Sequence, residues 1–329
     1  MRVPARLGAA GVMLAAAGCQ GIQSALDPAG PNAREIATLW WAMAAAAALI
    51  FALVLGSLLY AVYGRGPMRA RIKPMNLIIG GGIILPVVVL TVLVPFNIKV
   101  ASGVTEPRAE NTMTIRVHGR QWWWDVEYDD RASGVRFTTA NEIWLPLNEP
   151  VEIILTSADV IHSLWFPKLG GKLDLIPGRR NRLMMEADTE GVFRGQCAEF
   201  CGVGHAKMAL YAVAVTRERF NAWAQDQSSP AREPPDELSR RGADLFAATG
   251  CPLCHAVRGH GAWGRVGPDL THVGSRMTIG AGLIDNTRDN LALWIAHNDV
   301  LKRGNRMPDF DDLSRERRLA IGAYLESLE

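Results

Sequence analysis

Between Glu35 and Glu106 the chain contains no aspartate and no glutamate. A stretch that long without an acid excludes an ordinary water-facing domain there, because solvated surfaces carry both signs of charge interspersed. Net charge is also nearly absent, at +2 over 329 residues, so nothing in the balance points to nucleic acid as a partner. Cysteine is scarce, and all five have an assignable place: Cys19 near the N-terminus, Cys197 and Cys201 as C-x-x-x-C, and Cys251 and Cys254 as C-x-x-C-H. None is left over for a disulfide framework, and histidines beside both pairs favour metal or haem chemistry over bridges.

What fills the acid-free stretch is apolar. Thr38 to Val62 carries no charge and is dense in Ala, Leu and Trp, and Leu77 to Ile98 is a second such run. At 1.5 Å per residue each can cross the roughly 30 Å hydrocarbon layer. The link between them holds Arg65, Arg69, Arg71 and Lys73, which by the positive-inside rule puts it in the cytoplasm and everything after Lys99 outside. Trp40, Trp41, Tyr60 and Tyr63 sit at the two ends of the first span, where interfacial aromatics belong. Upstream, Arg2 and Arg6 precede an apolar run, Leu7 to Ala17, too short to span, so residues 1–18 read as a secretory signal. The run ends in Ala16-Ala17-Gly18-Cys19, which resembles the processing site of a bacterial lipoprotein with Cys19 as the lipid-bearing residue. An ordinary signal cleaved nearby is the other reading, because Ala16 stands where such sites more often have leucine.

After the spans, Met113 to His118, Trp122 to Tyr128, Glu142 to Leu147, Val151 to Thr156 and Tyr211 to Val215 are short, β-branched or aromatic, and separated by Gly, Pro and Asn turns. They predict an all-β sandwich, with any metal held on loops at one end. The loop Gly195-Gln-Cys197-Ala-Glu199-Phe-Cys201-Gly-Val-Gly-His205-Ala-Lys-Met208, with His162 upstream, supplies two thiolates, two imidazoles and a thioether. That soft set suits copper. Zinc is the competitor, since two Cys and two His close a tetrahedron, and plain core packing is the third reading. Met208 argues against zinc, to which a thioether adds little. Trp122, Trp123 and Trp124 read equally well as alternating in-and-out strand residues, Asp159 and Asp174 as docking acids or solvated turn residues, and His118 as structural.

From Trp223 to Glu237 the composition turns to Gln, Ser, Pro and charge, which cannot bury a core and reads as a linker. A flexible stretch from Gln225 to Asp236 would span roughly 20 Å end to end, by the random-coil estimate of about 5–6 Å times the square root of its length. Helical patterns follow at Leu238 to Thr249, Thr287 to Asn298 and Arg315 to Leu328. Cys251-Pro-Leu-Cys254-His255 is the attachment signature of haem c, and taken alone it also fits a redox or zinc pair.

The loop C-A-E-F-C-G-V-G-H-A-K-M, the upstream V-I-H-S-L-W-F-P, the stretch K-L-D-L-I-P-G-R and the run Q-W-W-W-D-V-E-Y resemble cytochrome c oxidase subunit II in order and spacing, over about residues 30 to 225. That resemblance implies a cupredoxin-like sandwich with a dinuclear CuA centre, its two copper ions bridged by Cys197 and Cys201. His162 and His205 would bind one copper each, Met208 would be an axial ligand and the Glu199 carbonyl the other. The Glu199 side chain would approach a magnesium ion shared with subunit I, and Trp122 would lie where electrons enter from cytochrome c. In the tail, G-P-D-L at 267–270 and G-N-R-M-P at 304–308, followed by a C-terminal helix, resemble a class I cytochrome c. This implies His255 and Met307 as axial haem ligands, with His260, His272 and His297 as rival sixth ligands, and places the chain near the caa-type branch.

The fold class so implied is a multidomain membrane protein: a two-helix transmembrane hairpin, a cupredoxin-like β-sandwich and an all-α class I cytochrome c domain. The expected units are 1–18 (signal), 19–104 (N-terminal segment and spans), 105–223 (copper domain), 224–236 (linker) and 237–329 (haem domain). Expected partners are subunit I and subunit III, a soluble or membrane-bound cytochrome c or donor complex, and a bacterial inner membrane, with both soluble domains on its periplasmic face. Family members with the usual proton pathway commonly carry a glutamate where the second span begins, and its lack here implies a different arrangement on subunit I. The rivals are an electron donor to another reductase, and a copper-delivery protein with a thioredoxin-like fold whose histidine lies downstream of its cysteines.

Overall fold

The computed structural model describes residues 21–64, 73–105, 113–130 and 134–329. The signal reading of 1–18, Cys19, and Arg65, Arg69 and Arg71 of the link lie outside the described residues.

Helix α1 (Pro31–Tyr63) contains the first predicted span, and the second lies in α2, which runs from Pro74–Ile79 through a π-helical turn at Gly80–Ile84 to Leu85–Thr105. The π turn falls on three consecutive glycines, where side chains do least to hold regular α geometry. Each helix has an apolar 18-residue window whose side chains are left uncovered, with mean hydropathy 2.4 and 2.8. This is what a lipid-facing surface requires. Both outer ends of the pair meet the same soluble domain: Asn32 on α1 donates to Met184 O at 3.0 Å, and α2 packs against the strand Asn181–Met185. The helices therefore form a hairpin that returns the chain to the side it started from.

The sandwich is built from β1 (Met113–Arg120), β2 (Trp123–Asp130), β3 (Val135–Ala140), β4 (Glu142–Pro146), β5 (Val151–Ser157), β6 (His162–Trp165), β7 (Leu173–Leu175), β8 (Asn181–Met185), β9 (Gly191–Cys197) and β10 (Ala209–Val215). One sheet has the order β3-β2-β1-β5-β8 and the other β4-β10-β9-β6-β7. Strict alternation of buried and half-buried residues along β1 shows why it is a strand with one face on the core. Ile115, Val117, Trp124, Ile153, Leu164 and Leu210 close that core completely. The sandwich ends in α3 (Arg217–Ser228), N-capped by Thr216, and Trp223 of α3 stacks on Trp144 with centroids 4.7 Å apart. Helix α3 thus continues to Ser228, through residues whose polar composition reads as linker, because Phe220, Ala224 and Gln227 give it one buried face.

The tail has its own core. Helices α4 (Glu237–Ala248), α5 (Arg288–Leu301) and α6 (Arg315–Glu326) are each N-capped by a side chain, from Asp236, Thr287 and Ser314. At the crossing of α4 and α6 a Cβ on Gly242 would come within 1.9 Å of Ala320 O, so only glycine admits this packing. Two small hairpins, β11–β12 (Ala256–Val257 with Ala262–Trp263) and β13–β14 (Thr278–Ile279 with Ile284–Asp285), lie between α4 and α5 in the chain.

The two soluble domains touch directly. The tail is not held at the end of a loose tether: Ala209 N donates to Ala281 O at 3.0 Å and Met277 N to Glu142 Oε1 at 2.7 Å. Glu142 is 4% exposed beside the buried Arg276. Burial pushes its carboxyl up, opposed by the Met277 amide and the Arg276 guanidinium. Polar composition between the domains said nothing of these contacts, since the residues making them lie far from the linker in sequence.

Candidate metal centre and cofactor cavity

β9 delivers Cys197 at its end, the loop turns back through Cys201 and a 3-10 turn at His205–Lys207, and β10 begins directly after Met208. Cys197 N donates to Met208 O at 2.9 Å, pinning the two ends of the loop together. β6 presents His162 from the same sheet, and Ala198 N donates to Ser163 O at 2.9 Å.

The donor atoms converge. Cys197 Sγ lies 3.7 Å from Cys201 Sγ, 3.9 Å from His162 Nδ1 and 3.2 Å from Glu199 O, while Cys201 Sγ lies 3.6 Å from His205 Nδ1 and 3.8 Å from Met208 Sδ. Ligands about 2.0–2.3 Å from a shared tetrahedral metal sit roughly 3.5 Å apart, so these spacings are those of a metal shell. All six predicted residues come together, one half of the set around each sulfur. His162, Cys197, Cys201 and Met208 are buried. Two thiols this close and this buried do not both ionise without a cation: the hydrogen bond from Cys201 pushes Cys197 down to about 3, and the same contact pushes Cys201 up.

Three groups that motif reading did not assign to the centre hold the ligands. Asp159 Oδ1 meets His162 Nε2 at 2.8 Å, which turns Nδ1 toward the sulfurs, and Asp159 is itself held by the Gln121 and Val160 amides. Burial opposes protonation of His162, yet its contacts with Cys197 and Asp159 leave its pKa raised. Gln121 Nε2 and Trp122 Nε1 donate to Cys201 O at 2.8 and 2.9 Å. Asp159 therefore faces inward; Trp122, Trp123 and Trp124 do alternate in burial, but Trp122, only 8% exposed, sits in the turn before β2 and abuts the metal loop. Trp124 fills the core, and His118 contacts Thr156 between β1 and β5 as a structural residue.

In the tail, Gly250 at φ +82° opens a tight turn at Cys251–Leu253 that brings Cys251, Cys254 and His255 to one wall of a cavity of about 490 Å³. Met307 lines the same cavity. His255 Nδ1 meets Pro268 O at 2.8 Å, which makes Nδ1 the donor and leaves Nε2 with a free lone pair. Burial pushes this imidazole's pKa down, keeping it the neutral ligand that iron takes. A Cβ on Gly267 would stand 2.5 Å from His255 Cε1, so the ring lies flat on backbone. Among the rival histidines, His260 is bound to Tyr324 Oη at 2.8 Å and His272 to Ser229 O at 3.0 Å, and neither they nor His297 line the cavity. Two thiols, a neutral imidazole and a thioether around one mostly apolar space fit a covalently attached haem. Trp123 and Arg120 form part of that wall too, with the Arg120 guanidinium 5.6 Å over the Trp123 ring.

Residues 134–215 match the family described as cytochrome c oxidase subunit II, periplasmic domain, and residues 239–329 match cytochrome c. The chain is 35% identical over 327 residues to cytochrome c oxidase subunit 2 of Alkalihalophilus pseudofirmus, covering 95% of this chain and 93% of that protein. It is 31% identical over 265 residues to the protein of the same name from Bacillus sp. strain PS3, covering 75% and 72%. Among solved structures, the periplasmic domain of subunit II of cytochrome oxidase of Bradyrhizobium japonicum is 34% identical, covering 37% of this chain and 95% of that one, with a TM-score of 0.34.

Proposed function

The chain belongs to the cytochrome c oxidase subunit 2 family, and from that premise we propose that it receives electrons on a fused haem c and passes them through CuA to an oxygen-reducing haem-copper site in subunit I. The observation that carries this reading is the cluster of six donors, two of them buried thiol sulfurs 3.7 Å apart. When bound, the copper pair and the haem supply the one-electron carriers.

The chain's own residues do the rest. Cys197, Cys201, His162, His205, Met208 and the Glu199 carbonyl would hold the two coppers. Asp159, Gln121 and Trp122 limit rearrangement on electron transfer by fixing the directions of His162 and the Cys201 backbone. The site supplies a soft ligand set suited to electron relay, and oxygen reduction is assigned to subunit I. The exposed Glu199 side chain is free to reach a magnesium ion at the border with subunit I. His255 and Met307 would hold the haem iron, and Cys251 and Cys254 its vinyl carbons. Subunits I and III, a cytochrome c donor and a bacterial inner membrane complete the setting, with both soluble domains on the periplasmic side.

The test uses the purified complex. It should consume oxygen when given reduced cytochrome c, and Met307→Ala should leave the haem attached while lowering its potential by on the order of 100 mV, within the roughly 0.8 V range that axial ligands span. His255→Ala should abolish the low-spin haem spectrum. A parent-like spectrum and potential in the Met307 variant, or a complex that consumes no oxygen, would defeat the reading.

A further inference from the structure

Lys302 is a lysine with almost no contact with water. It follows the last turn of α5 and is 3% exposed. Its Nζ donates to Trp122 O at 2.6 Å and to Gly280 O at 2.7 Å. One acceptor lies in the β1–β2 turn of the copper domain, the other in the β13–β14 turn of the haem domain. Trp122 is also the residue whose indole N–H holds Cys201 O, and Lys302, Gly280 and Trp122 all line the haem cavity. A single amine thus joins the wall of one centre to the support of the other. Two carbonyls suit it in either protonation state, since a neutral amine has two N–H donors and an ammonium three.

The surroundings leave little room for drift. Gly304 has φ +80°, and a Cβ there would lie 2.9 Å from Val203 Cγ2 and 3.1 Å from Trp122 Cη2. Lys207 Nζ donates to Leu301 O, next to Lys302. Taking a lysine amine out of water is unfavourable, so folding alone would favour an apolar residue here.

Resting on the function proposed above, we propose that Lys302 is a positioning residue for electron transfer, holding the haem cavity against the Trp122 edge of the copper loop. Transfer then starts from one fixed arrangement and does not wait for a tethered domain to find its partner. One electron passes from reduced haem, which is oxidised, to the copper pair, which is reduced. No bond breaks, and Lys302 gives up no proton.

The experiment follows copper reduction after rapid photoreduction of haem c in the assembled complex. Lys302→Met keeps an unbranched stem and removes the donors. Its transfer rate should fall by about tenfold or more, as two buried carbonyls lose their partner, and should become dependent on solvent viscosity. Both optical spectra and the haem potential should stay as in the parent, which separates positioning from damage to either centre. Gly282→Ala is a second variant: its Cβ would lie 2.8 Å from Ala209 Cβ, at φ +74°, wedging the same face without touching either ligand set. It should slow the same step. A Lys302→Met complex with intact spectra and the parent rate overturns the proposal. Should that variant not take up haem, Gly282→Ala carries the test, and parent-like transfer there overturns it. If the unaltered chain passes no electron from haem to copper, the function proposed above fails instead, whatever Lys302 does.

Discussion

Cys201→Ser is expected to destroy the copper pair and, with it, oxygen consumption by the complex. Cys201 Sγ is the atom on which the site closes, with Cys197, His205 and Met208 donors all within 3.6 to 3.8 Å. A serine oxygen is harder, shorter in reach and rarely ionised, so it bridges two soft metals poorly. Outer partners of metal ligands are worth about 10–100-fold, and a bridging ligand should be worth at least the upper end, so turnover should drop by on the order of 100-fold. The fold should survive, because Cys201 sits in a loop while the sandwich core is closed by strand residues. Metal analysis and electron resonance give the check: two coppers sharing one electron in the parent, one copper or none in the variant. One tightly bound zinc in the parent would refute the copper assignment outright.

Removal of the chain after Ser228 should leave the copper domain folded and the oxidase assembled, yet make turnover depend steeply on added cytochrome c. The two soluble domains have separate hydrophobic cores, and α3, which closes the sandwich, is complete at Ser228. Even a short flexible linker gives an effective concentration on the order of millimolar, and a docked domain at least that, so a soluble donor at micromolar levels is disadvantaged by roughly 1,000-fold or more. Truncation also uncovers Trp122, against which Gly304 of the haem domain lies. At high donor concentration the shortened complex should therefore recover activity, and the recovery should weaken with salt, as for any encounter steered by charge. Oxygen uptake by intact and shortened complexes across a range of donor concentration checks this. Identical rates at every concentration would mean that the tail is not where electrons arrive.

Much of the site was legible because its chemistry is compressed into short segments. Cys197 to Met208 is one loop, Cys251 to His255 one turn, and each span one unbroken run, so residue type and spacing alone point to soft ligands, haem attachment and lipid. His162, 35 residues from Cys197 in sequence, entered the ligand set as an upstream histidine, by residue type and then by resemblance, since its spacing fixes no position near the loop. What was not legible depends on the meeting of distant backbone. Asp159 reads as a docking or turn acid until β6 brings His162 against it, and nothing in the sequence sets Lys302 apart until Trp122 O appears 180 residues away. The linker was legible as composition but not as mechanics. Polar residues between Trp223 and Glu237 suggest freedom, whereas the domains are held by Lys302, Met277 and Ala209 outside that segment, and the segment itself is bonded to the haem domain through Gln227, Ser229 and Ala231.

The most direct measurement is the order in which the two centres of this chain are reduced. Oxidised complex is mixed rapidly with a substoichiometric amount of reduced cytochrome c, and the haem c and copper absorbances are followed together. Haem c should be reduced first, at a rate that rises with donor concentration, and copper should follow at a rate that does not. Copper reduced ahead of haem c, or at a rate that scales with donor concentration, would contradict the account.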